Sequence, residues 1–112
     1  GFHDGVNNGP FKAEPNENKD EADIIWKFDM MAVFASFQHN MCSCSVTCYN
    51  DILLVSTSNG VDAGHINIPS PKAPSYFALN RDTGKVLWTD NSPGMNILHG
   101  QWSSPSYATI KG

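Results

Sequence analysis

The stretch SYFALNRDTGKVLWTD, residues 75–90, reads as two strands joined by a tight turn. Tyr76, Phe77, Ala78 and Leu79 form a short apolar and aromatic run, and Val86, Leu87 and Trp88 begin the return. Between them, Asn80, Arg81, Asp82, Thr83 and Gly84 supply turn chemistry. Asn and Asp side chains bond their own backbone in turns, and Gly accepts a positive φ that other residues resist. A loop of three to five residues carrying Gly between two such runs predicts a β-hairpin.

Working outward, NMCSCSVTCYN (residues 40–50) is small, polar and β-prone, and ILLVSTS (residues 52–58) reads as a buried strand. Asn50-Asp51 makes the turn between them, and Asn59-Gly60 closes the second strand. Residues 61–74 form a proline-stiffened insertion, of a length usually functional or disordered. IIWKFDMM, residues 24–31, alternates Ile24, Trp26 and Phe28 with Ile25, Lys27 and Asp29, which predicts a strand. Met30 to Phe37 reads as a loop or a single helical turn. Residues 1–23, rich in Gly, Asn, Pro and acidic residues, read as an irregular lead-in. Gly1 reads as a cut end rather than a native start. Residues 91–101 make a connection with a turn at Ser92-Pro93-Gly94, and WSSPSYAT (residues 102–109) opens a further strand.

The 112-residue chain carries a net charge of −4 and only scattered basic residues, which argues against nucleic acid as a partner. No apolar stretch approaches the ~20 residues of a membrane span. A G-x-S-x-G nucleophile elbow and a Gly-rich phosphate loop are both missing.

Around the hairpin, Ala78, Asn80, Thr83, Gly84 and Trp88 stand as A-x-N-x-x-T-G-x-x-x-W. This resembles the tryptophan-docking motif of the quinoprotein-type (PQQ-like) β-propeller repeat, with Asn80 where that motif has Asp. The NGVD and HGQWSSP segments also look like a quinoprotein-like propeller subgroup. The resemblance implies an all-β fold, a fragment of a β-propeller. Residues 24–31 would end one blade with Trp26 as its docking residue, 43–90 would be a full blade, and 102–112 would start the next. A ring needs ~4–8 blades of four strands, so the expected partners are the remaining blades of a longer chain or other subunits. The implied function is a non-catalytic scaffold or protein-binding module. The alternative is a segment of a PQQ-dependent dehydrogenase, whether or not this chain is itself enzymatic. The implied location is periplasmic or otherwise exported. No cofactor is expected within this segment, with PQQ and calcium a prospect for the full-length protein.

Catalytic members of the resembled family often carry a vicinal Cys-Cys disulfide, and this chain has Cys42-Ser43-Cys44 instead. The family's calcium ligands find no motif support here. Three readings of Cys42, Cys44 and Cys48 stand: free buried core residues, a strained Cys42–Cys44 disulfide, or a metal contact. On a strand, two residue rises of about 6.6 Å would bring Cys42 and Cys44 near the disulfide limit, with parallel Cβ vectors. C-x-C-x₃-C lacks the usual C-x₂-C zinc spacing. His39, His65 and His99 each fall in loops or at strand ends, where His with a Cys thiolate could hold zinc, copper or haem iron. A third reading is therefore a metal-binding electron-transfer accessory using His39, Cys42 and Cys44.

Overall fold

The computed structural model describes residues 24–111. A single-turn helix, α1 (Met30–Phe34), precedes four strands: β1 (Thr47–Tyr49), β2 (Ile52–Ser56), β3 (Tyr76–Asn80) and β4 (Val86–Asp90). They form one antiparallel sheet in the order β1-β2-β3-β4, and a short 3₁₀ turn follows at Gly94–Asn96.

The hairpin predicted within residues 75–90 is β3–β4. Asn80 Oδ1 accepts from the backbone N–H of Asp82 and Thr83 and from the Thr83 hydroxyl, at 2.9–3.1 Å. Gly84 completes the turn at φ 67°. The indole of Trp26 lies against this turn and donates to the Arg81 carbonyl at 2.8 Å. A register shift between Ala78 and Leu79 bulges the ladder, with Ala78 opposite Trp88 and Leu79 opposite Val86.

The propeller expectation is corrected. Among the described residues there is one open sheet, whose end strands β1 and β4 remain edges. Neither flanking segment begins a second sheet. Ile24 to Asp29 alternates half-buried and exposed side chains as its pattern predicts, yet belongs to no strand. Period-2 patterning records which side chains face the core, not whether the backbone is paired. Asp29 then caps α1, its Oδ1 accepting from Met31 and Ala32 N–H at 3.0 Å, and turns the chain helical. Residues 102–111 are also outside any strand. They lie along β1 through side chains: Ser45 N–H donates to Ser104 Oγ, the Thr47 hydroxyl to the Pro105 carbonyl, and Tyr107 stacks on Tyr49. Pro105 has no N–H to give a ladder.

With the propeller go the readings built on it. A scaffold of propeller repeats, a PQQ-dependent dehydrogenase segment, and PQQ with calcium all require a ring of blades around a centre. The single open sheet of the described residues supports none of them. Trp88 is 46% exposed on β4 rather than clamped between blades. The lead-in over residues 1–23 lies outside the described residues.

The apolar core is small. Phe77, 1% exposed, meets Phe28 and Phe34 at ring-centroid distances of 5.4 and 5.0 Å. Such pairs add roughly 0.5–1.5 kcal/mol each beyond area burial. The second buried region is polar. Ser56, Thr57, Ser58 and Asn59 are all fully buried as the chain leaves β2. Buried polar groups have to be hydrogen-bonded, and here the bonds tie three distant loops together. Asn59 Oδ1 accepts from Phe37 N–H, its Nδ2 donates to the Ser70 carbonyl, and its carbonyl accepts from Gln101 Nε2, at 2.9–3.0 Å. This hub positions the site.

Candidate metal centre

Each of the three tied loops carries one histidine. His39 follows Gln38, which bridges Asn59, and its N–H donates to the Ser58 carbonyl at 3.0 Å. His99 is held by its carbonyl, which accepts from Val61 N–H at 3.1 Å. His65 sits at φ 56° in a turn closed by its own N–H donating to the Asp62 carbonyl. Their ligand atoms all lie within 4.8 Å of one another. The ring centroids are 4.7 Å apart for His39–His65, 5.4 Å for His39–His99 and 4.9 Å for His65–His99.

His39 is 1% exposed, whereas His65 and His99 are exposed. Its Nδ1 lies 2.9 Å from the Val61 carbonyl oxygen. A carbonyl only accepts, so Nδ1 is the donor in this contact, and in the neutral ring Nε2 is then the nitrogen that carries the lone pair. His39 Nε2 is buried with no hydrogen-bond partner. Histidine ligands in metal sites commonly donate their other ring N–H to a carbonyl in this way, which fixes tautomer and orientation. Val61 therefore serves two of the three histidines, through its carbonyl and its N–H. Trp102 stacks on the His39 ring at 6.0 Å and backs the cluster. Ligand nitrogens on tetrahedral zinc lie about 3.3 Å apart, so the spread of up to 4.8 Å needs only modest closure by the two exposed rings.

Asp62 organises the His65 turn. Its Oδ1 accepts from Ile66 N–H at 2.9 Å and its Oδ2 from Asn67 Nδ2 at 2.8 Å. The Ile66 N–H first, and the Asn67 amide second, hold its carboxyl below the ordinary value. The folded pKa is depressed, so this contribution is present above the ordinary carboxylate pKa and is lost as pH falls through the lowered value. Asp62→Ala is expected to weaken metal binding about 10-fold, the lower end of what outer-shell losses cost, with little change in the fold. Metal titration beside a circular dichroism spectrum checks it.

The expectation that this segment holds no cofactor site is corrected by the histidine cluster, which lies wholly within it. The sulfur-containing set His39, Cys42 and Cys44 is not what converges. Cys42 and Cys44 face each other, with Sγ atoms 3.7 Å apart, and both contact the Ser56 carbonyl. Cys48 sits apart on β1, with its Sγ 3.5 Å from the Asn50 carbonyl. Among the described residues the converging donors are all imidazole, so the sulfur ligation on which the electron-transfer reading rested finds no support. All three cysteines are free, but Cys42 and Cys48 are exposed and Cys44 is half-buried, so they are not core residues. The convergence of His65 and His99 on His39 was not legible from spacing. Its one local signal was glycine beside two of the histidines, in Gly64-His65 and His99-Gly100.

Comparison with protein-family models, curated proteins and solved structures returns no match.

Proposed function

We propose that this chain is a transition-metal-binding domain, holding one divalent ion through His39, His65 and His99. The observation that carries the reading is the buried, partnerless Nε2 of His39 beside two further imidazoles. Leaving a buried polar atom unsatisfied costs about 1–3 kcal/mol, and a metal ion repays that cost. Three imidazoles suit zinc, copper or nickel better than calcium or magnesium, which want oxygen. Zinc is the first candidate, since three protein ligands plus one open position is its usual non-structural arrangement. His65 and His99 face solvent, so the fourth position is reachable by water or a small ligand. In that position a bound ion supplies Lewis acidity. A cavity of about 470 Å³, lined by His65, Ile66, Asn67, Ile97 and Leu98 among others, adjoins the cluster and offers a mixed polar and apolar surface to such a ligand.

Isothermal titration of the metal-free chain with zinc chloride tests the proposal. One zinc per chain is expected, with the same stoichiometry when Cys42, Cys44 and Cys48 are all changed to Ser. Absence of binding, or binding that disappears with the thiols, overturns it.

A further inference from the structure

Away from the histidines, Cys42 and Cys44 form a second chemically competent pair. Their sulfurs are 3.7 Å apart in a segment that belongs to no strand, so no ladder bonds resist their closing to the ~2.05 Å of a disulfide. Their environments differ. The hydroxyl of Ser56, a residue fully buried at the end of β2, lies 2.8 Å from Cys44 Sγ and 3.1 Å from the Gln101 carbonyl. Cys42 is the more exposed residue, and its sulfur contacts Cys44 Sγ and the Ser56 carbonyl.

We propose that Cys42 and Cys44 are a redox-active dithiol that exchanges with small-molecule disulfides, Cys44 attacking and Cys42 resolving. Ser56 is the asymmetric element. Burial by itself raises the Cys44 thiol, but the Ser56 hydroxyl, the Cys42 thiol and backbone contacts outweigh it and lower the thiol below its ordinary value. Burial first, and then Cys44 as hydrogen-bond partner and nearby charge, raise Cys42. The lower thiol supplies the attacking thiolate.

In the first step Cys44 thiolate forms a bond to one sulfur of RSSR. The RS–SR bond breaks and RS⁻ leaves, to be protonated to RSH. In the second step Cys42, its proton released, attacks Cys44 Sγ. The Cys44–SR bond breaks and a second RSH departs. The protein loses two electrons and two protons, and the disulfide gains both. This activity is independent of the metal.

The test uses the full chain with Cys48→Ser, treated with a chelator, and glutathione disulfide as probe. Intact mass should show loss of two hydrogens with no lasting glutathione adduct. Adding Cys42→Ser should trap one adduct on Cys44. Adding Cys44→Ser instead should slow adduct formation at Cys42 at least 10-fold. Iodoacetamide should label Cys44 at least 10-fold faster than Cys42 in the parent, a readout that needs no further substitution. Stable adducts on the parent, or equal labelling of the two thiols, overturn the proposal.

Discussion

Zinc is expected to raise the thermal midpoint of the chain by about 15–30 °C, and His39→Ala to abolish that rise. A ligand that binds only the folded state stabilises it by about 4 kcal/mol at a thousandfold excess over its dissociation constant. In a domain of this size each kcal/mol moves the midpoint by roughly 4–8 °C. His39→Ala removes the buried ligand and also the donor to the Val61 carbonyl, so the metal-free protein itself loses roughly 2 kcal/mol. His65→Ala separates the two effects. His65 is exposed, so its loss should leave the metal-free midpoint within the span of ordinary surface changes, about 0.5 kcal/mol. It should nevertheless remove most of the zinc-dependent rise. Calorimetric scans of all three proteins with chelator and with zinc measure both quantities. A full zinc shift in either variant would place the metal elsewhere.

Gly60→Ala should be the most damaging single methyl in the described chain, costing about 4 kcal/mol or more. A Cβ at Gly60 would stand 1.7 Å from the His99 carbonyl oxygen and 2.8 Å from His39 Cβ. The obstruction is backbone, and the backbone is fixed on both sides. Gly60 N–H donates to the Phe37 carbonyl and Val61 N–H to the His99 carbonyl. Relief therefore requires pulling the His39 and His99 loops apart, and overpacking of this severity lies in the exceptional range for point changes. Gly64→Ala is the control. It adjoins His65, but its Cβ would meet nothing closer than 3.6 Å, an ordinary contact. Denaturant unfolding should show a large fall in midpoint for Gly60→Ala and a change within about 0.5 kcal/mol for Gly64→Ala. Zinc affinity should fall with the first and persist in the second.

Local turn chemistry was legible in the sequence and long-range convergence was not. Asn80, Thr83 and Gly84 announce the β3–β4 hairpin because each acts within its own turn. The run around Met30 gives a single helical turn because Asp29 can cap it. The alternation at Ile24 to Phe28 foretold which side chains are half-buried but not that the segment falls outside the sheet, since side-chain facing does not depend on a ladder. The resemblance around Ala78 to Trp88 covers one hairpin and one turn, too little to dictate how many sheets the chain builds. The site depends on the least predictable feature, the buried polar run Ser56 to Asn59. Its serines, threonine and asparagine read as a strand end. Only in three dimensions does Asn59 join the backbones of Phe37 and Ser70 to the side-chain amide of Gln101. The pattern of residues 40–50 predicts one strand carrying all three cysteines. Cys48 stays on β1, but Cys42 and Cys44 precede it because β1 starts only at Thr47, and that freedom lets the two approach.

X-ray absorption at the zinc edge of the loaded chain reads the ligand set itself. Binding through His39, His65 and His99 predicts a four-coordinate shell of three imidazole nitrogens near 2.0 Å and one further light atom, with no sulfur. Sulfur scattering near 2.3 Å, or a six-coordinate oxygen shell, would contradict it.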